Sequence, residues 1–268
     1  MQNEKRQNAV YSVLEANKEK ELVLRDVYFV ESDQNALLNL LNKIQKNSSV
    51  TSLVIDSIGV TNNTISLIIS SFKQRLKSIK ISELEFKDAG AGSIIAKKLT
   101  ILSNLYSLDL SGCKIGEEGS KALNGLLDES KSLQELRLDS CGIDDKQIQL
   151  LLSSVIVRLK VLSLKRNSIG SQSAEALRIS TLEELNLSSN KLGIDGVRIL
   201  LCYFTTSSLL TLDIKLNFIN NTTAKIVYSE EFGSLVMKFI EANKSRHVTF
   251  YDLTEGANSD IANLQIRI

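Results

Sequence analysis

One spacing governs this chain: an apolar residue, two others, an apolar residue, one other, an apolar residue. It occurs seven times, most clearly as LYSLDLSGCKIG from Leu105, LQELRLDSCGID from Leu133, LKVLSLKRNSIG from Leu159 and LEELNLSSNKLG from Leu182. The first apolar positions are Val50, Leu76, Leu105, Leu133, Leu159, Leu182 and Leu209, separated by 26, 29, 28, 26, 23 and 27 residues. An eighth, degenerate copy puts Leu22 and Leu24 in the strand and Glu19 where the first leucine belongs. A unit this short cannot bury its apolar side alone and must stack on its neighbours. The pattern therefore selects a solenoid. It also accounts for most of the leucines, so function has to be sought in the residues that remain.

Inside a unit the period changes. Leu108 and Leu110 alternate with Ser107, Asp109 and Ser111, which predicts a short strand with one face in the core and one in solvent. Cys113 and Ile115 turn the chain inward, and Gly116 and Gly119 relieve the backbone where the next segment begins. Ala122, Leu123, Leu126 and Leu127 then recur at helical spacing. Each unit is thus strand, turn, helix, turn. Helices are about 10 Å wide and strands about 4.8 Å apart, so a stack bends with its strands on the concave side. Cys113, Cys141, Asn167, Asn190 and Asn217 share one position, where the inward turn leaves backbone groups unpaired. An asparagine there can serve both a donor and an acceptor, and a small thiol fits the same slot.

The pattern LxxLxLxx(N/C)x(L/I)G, seen in CKIGEEGSKAL, NSIGSQSAEAL and NKLGIDGVRIL, resembles the ribonuclease-inhibitor-like class of leucine-rich repeats over roughly residues 20 to 228. The resemblance implies an α/β leucine-rich-repeat solenoid, a horseshoe of about eight repeats plus end caps. Parallel strands would line its concave face and helices its convex face. It also implies a binding scaffold rather than a particular partner, because one fold serves many functions. The unit from Leu159 is only 23 residues long, which leaves its outer segment, SQSAEALRIST, room for about two helical turns and predicts a dent there.

The ends differ from the middle. Ala9, Val10, Val13 and Leu14 predict a capping helix within residues 1–18, ahead of repeats over 19–228. The C-terminal cap, 229–268, reads as a helix through FGSLVMKFIEAN, a strand at RHVTFYDL and a final strand or edge cover at LQIRI. No Gly-, Pro- or Ser-rich linker divides the chain, so a single domain, 1–268, is expected.

Composition narrows the function classes. The net charge is +1, which argues against recruitment by nucleic acid or an anionic membrane. No apolar run approaches the roughly 20 residues that span a bilayer, and the N-terminal MQNEKRQNAVYSVLEANKEK carries no secretory h-region. The three cysteines, Cys113, Cys141 and Cys202, are too few and too scattered for a disulfide scaffold. The sole histidine, His247, stands far from them, and there is no P-loop, HExxH or CxxC. Gly90-Ala-Gly-Ser lacks the rest of a nucleophile elbow. Neither catalysis nor a cofactor or metal is expected. The chain is expected to act as a cytoplasmic monomer, in its own cell or delivered into a host.

The strand positions that alternate away from the core are the candidate site. They run Ser52, Val54, Asp56; Ser78, Lys80, Ser82; Ser107, Asp109, Ser111; Glu135, Arg137, Asp139; Val161, Ser163, Lys165; Glu184, Asn186, Ser188; and Thr211, Asp213, Lys215. Asp109, Arg137, Asp139, Lys165, Arg166 and Asp213 form a mixed-charge patch on rungs about 5 Å apart, where opposite charges can pair across strands into a self-neutralised solvated face or offer a contact surface to a protein partner of unknown identity. The patch has no Trp or other aromatic anchor. Two other readings stand beside it. Ran GTPase-activating proteins share this repeat class and act through an arginine near the solenoid, a role Arg25 could take. The repeats could also belong to a larger receptor.

Overall fold

The computed structural model describes residues 20–25, 38–39, 41–42, 49–56, 62–72, 75–82, 98–99, 102–153, 158–205, 207, 209–217, 230–242, 249–251 and 266–267. Contacts divide the chain into two compact units, Met1–Leu133 and Gln134–Ile268. The capping helix expected near residues 4–17, the stretch at Gly90 and His247 lie outside the described residues.

In the first unit the strands are β1 (Glu21–Arg25), β2 (Ser52–Asp56), β3 (Ser78–Ser82) and β4 (Ser107–Asp109). They pair in parallel and in chain order, with Leu22, Leu53, Ile79 and Leu108 in one register column. All four are buried, because alternation sends every second residue of each strand to the same side. Helix α1 (Asn62–Phe72) follows β2 and buries Ile68, Ile69 and Phe72. Helix α2 (Gly116–Glu129) follows β4 and buries Leu123, Leu126 and Leu127. Gly116 opens α2 at φ +68°, a backbone conformation that a β-carbon disfavours. Glu117 and Glu118 in the first turn of α2 suit the positive end of its dipole.

The second unit repeats the plan. Strands β5 (Glu135–Arg137), β6 (Val161–Ser163), β7 (Glu184–Asn186) and β8 (Thr211–Asp213) are parallel, with Leu136, Leu162, Leu185 and Leu212 in register. Helix α3 (Asp145–Leu151) follows β5 and α4 (Gly193–Phe204) follows β7. Asp144 caps α3 by accepting from the Gln147 N–H, and the Gln147 side chain returns the bond to the Asp144 N–H. Beyond β8 come α5 (Glu230–Ala242), which buries Phe239, then β9 (Thr249–Tyr251) and β10 (Ile266–Arg267). β9 continues the parallel pairing on β8, and β10 runs antiparallel along β9. Ile266 and Arg267 of LQIRI thus form the further strand expected there.

The seven first apolar positions, Val50 to Leu209, are all buried. The asparagines behave as their slot requires. Asn167 Oδ1 accepts from the N–H groups of Cys141 and Ile143, both at 3.0 Å, while its Nδ2 donates to the carbonyls of Leu138 and Leu164. Asn190 accepts from Ile169 N and donates to Leu164 and Leu187, all within 3.1 Å. Asn217 accepts from Leu192 N and donates to Leu187 and Ile214. Cys113 uses the slot differently: its thiol donates to the Ile81 carbonyl at 3.4 Å.

One expectation is corrected. The outer segment after β6 is a 3-10 turn, Ser171–Ser173, followed by further turns, and not two turns of α-helix. Asp145 of α3 explains part of this. Its Oδ1 accepts from the Gly170 N–H at 2.9 Å and from the Ser173 hydroxyl, so these groups are held across the stack. On the other side, α4 comes close at Gly196, where an added β-carbon would sit 3.1 Å from Ser171 Cα.

Candidate functional site

The outward strand positions divide by what their side chains already do. In the first unit, Asp109 is half-buried. It lies 3.8 Å from Lys80 Nζ on the neighbouring strand and accepts from the Ser111 N–H at 3.0 Å. In the second unit, Asn186 accepts from the Ser188 N–H and hydroxyl, and Asp213 accepts from the Lys215 N–H. These three residues share the central outward position. Each closes a small Asx turn where the strand ends and the chain bends inward.

Arg137 and Ser163 hold the same position and cannot do this. Asp139 does it for the β6 rung instead. Its Oδ1 accepts from Ser163 Oγ at 2.5 Å and from Lys165 N at 2.9 Å. Ser163 and Ser188, placed on the solvent side by alternation, are in fact buried at 3% and 4% exposure. Alternation fixes the side a residue points to, whereas burial depends on the neighbours that lie over it.

The cations stand differently. Arg137 and Lys165 are half-buried and Arg166 is exposed. Among the described residues, no carboxylate pairs with any of the three, although Asp139 lies one residue beyond Leu138 on the same rung. Arg166 occupies left-handed backbone, φ 55°. So do its repeat equivalents Gly112, Ser140, Ser189 and Leu216. The sequence holds one signal for this: Gly112 aligned with the residue before each Cys or Asn.

Of the predicted patch, the second unit gathers Arg137, Asp139, Lys165 and Arg166 on the β5 and β6 rungs, with Asp213 two strands from Ser163. Asp109 belongs to the first unit. The cysteines are free; Cys113 and Cys141 are buried and Cys202 is exposed. Among the described residues no group of His, Cys, Asp and Glu is placed to hold a metal, and no helix is long and apolar enough to cross a membrane.

The family model of the PRAME C-terminal domain matches residues 17–258, nearly the whole chain. The chain belongs to this family. The same PRAME C-terminal domain is similar to curated leucine-rich-repeat proteins. It is 34% identical over 133 residues to a ribonuclease inhibitor of Sus scrofa, covering 47% of this chain and 29% of that protein. It is 26% identical over 159 residues to Protein TORNADO 1 of Arabidopsis thaliana, covering 53% of this chain and 11% of that one. The chain therefore spans less than a third of the length of either relative. With the parallel rungs and the asparagine slot, these matches establish an α/β, ribonuclease-inhibitor-like leucine-rich-repeat protein.

Proposed function

We propose that this PRAME C-terminal domain is a non-catalytic, cytoplasmic protein-binding module, and that its partner sits on the outward face of the strands. The observation that carries the reading is the division of labour on that face. Asp139, Asn186 and Asp213 are turned to the backbone, while Arg137, Lys165 and Arg166 have no carboxylate partner among the described residues. A rigid floor with cations set on it loses little entropy on docking. The relative named ribonuclease inhibitor lends support, since that name describes action on another protein. Three free thiols, one of them exposed, fit a reducing compartment.

The test is affinity capture from lysate followed by charge reversal. Arg137→Glu and Lys165→Glu should lower capture of the recovered partner with little change in unfolding. Lys121→Glu on α2 serves as control. Lys121 is exposed and paired with Glu118 at 2.7 Å; that hydrogen bond and the carboxylate's charge raise its pKa. Such an exposed pair contributes little to stability. Loss of capture with Lys121→Glu but not with the strand variants would place the partner on the helices and refute the proposal.

A further inference from the structure

The outward face of β5–β8 carries its charges in two bands. Glu135 and Glu184 stand at the N-terminal ends of their strands, and Glu183 beside them is tied to Lys160 at 2.8 Å. Arg137, Lys165, Arg166 and Lys215 stand at or just past the C-terminal ends, with Asp139 and Asp213 among them. Both aspartates spend an oxygen on backbone amides of the strand ends, and neither is within ion-pair distance of Arg137, Lys165 or Arg166. Four cations against two aspartates leave this band basic.

Arg166 sits at the left-handed turn that Ser140, Ser189 and Leu216 also occupy, so the repeat fixes its backbone. Its side chain is exposed there, next to the half-buried Lys165.

We infer that Arg137, Lys165 and Arg166 form the docking point for an acidic, extended segment of a partner protein crossing the C-terminal ends of the strands. This rests on the strand-face reading above and names the chemistry of the occupant. Adjacent strands are about 4.8 Å apart and two residues of strand advance about 6.6 Å, so the backbones of Arg137 and Lys165 are about 8 Å apart. Carboxylates on alternate residues of an extended chain are spaced by nearly that much. The guanidinium groups can clasp a carboxylate through two parallel N–H bonds, a geometry a lone ammonium lacks.

The probe is a fluorescein-labelled peptide of alternating Glu and Ser, titrated with the full chain by fluorescence anisotropy. A Lys–Ser peptide and an oligothymidylate serve as comparisons. The Glu–Ser peptide should bind, and more weakly as salt rises. The double variant Lys165→Glu, Arg166→Glu should weaken it by about tenfold or more. Glu184→Lys, in the acidic band, should leave it unchanged or tighten it. Arg166→Gly should weaken it without lowering the urea midpoint, which separates a binding role from a structural one. Failure of the Glu–Ser peptide to bind, tighter binding of the Lys–Ser peptide, or indifference to the double variant would each overturn the inference. Tighter, Lys165-dependent binding of the oligothymidylate would replace a protein occupant with a nucleic acid. If captured partner is still lost with Arg137→Glu while the acidic peptide does not bind, the strand face remains the site and only its acidic occupant falls.

Discussion

Replacing Asn190 by alanine takes one side chain away from three backbone groups at once. The residue is fully buried, so water cannot step in. The Ile169 N–H loses its acceptor, and the carbonyls of Leu164 and Leu187 each lose a donor. An orphaned buried N–H costs about 1–3 kcal/mol. A carbonyl has two lone pairs and suffers less when one is left unused. The sum comes to about 3 kcal/mol, a large share of the ~5–15 kcal/mol that holds a typical domain together. Asn190→Cys recreates the residue found at Cys113 and Cys141. A thiol can donate weakly to a carbonyl, as Cys113 does to Ile81, but cannot replace the amide oxygen at 3.1 Å from Ile169 N. It should cost about half as much as alanine. Urea unfolding followed by far-UV circular dichroism gives both values, provided the slope m is unchanged. A loss below about 1 kcal/mol for Asn190→Ala, or a larger loss for cysteine than for alanine, refutes the hydrogen-bond account.

Four further outcomes follow from the same structure. Leu162→Ala, in the fully buried column, should cost about 2–5 kcal/mol, and Lys165→Ala about 0.5 or less, by the same unfolding assay. Ser163→Ala removes the 2.5 Å donor to Asp139 and should cost about 1–2 kcal/mol although it lies on the outward side. A chromogenic thiol reagent should label Cys202 quickly in native buffer and reach Cys113 and Cys141 only on unfolding; fast reaction of all three would move the rung cysteines out of the core. Gly196→Ala pushes a β-carbon to 3.1 Å from Ser171 Cα and should cost about 1 kcal/mol or more; an unchanged urea midpoint would mean the outer segments do not touch there.

The leucine spacing gave the register because both halves of its signal are local. Period two separates Leu136 from Arg137, and stacking aligns Leu136 with Leu162 without further information. The asparagine slot was legible for the same reason: an inward bend leaves backbone groups that only a two-way side chain can serve. The state of Ser163 was not legible. Its burial depends on neighbours above it, and its bond to Asp139 joins residues 24 positions apart in sequence. The 3-10 turn after β6 was not legible either, because Ala174 and Leu177 have helical spacing. The competing bonds come from Asp145, a whole unit earlier. At the candidate patch, the sequence supplied the charges. The structure separates Asp139 and Asp213, which serve the chain, from Arg137, Lys165 and Arg166, which do not pair with them.

The asparagine bonds also have a direction. Asn167 accepts from Cys141 and Ile143, Asn190 from Ile169, and Asn217 from Leu192; in each case a later rung serves an earlier one. In each of these rungs the amides are paired only once the next rung lies against them. Cutting the chain after one of them therefore leaves that rung's amides without their acceptor, while the rungs before it keep theirs.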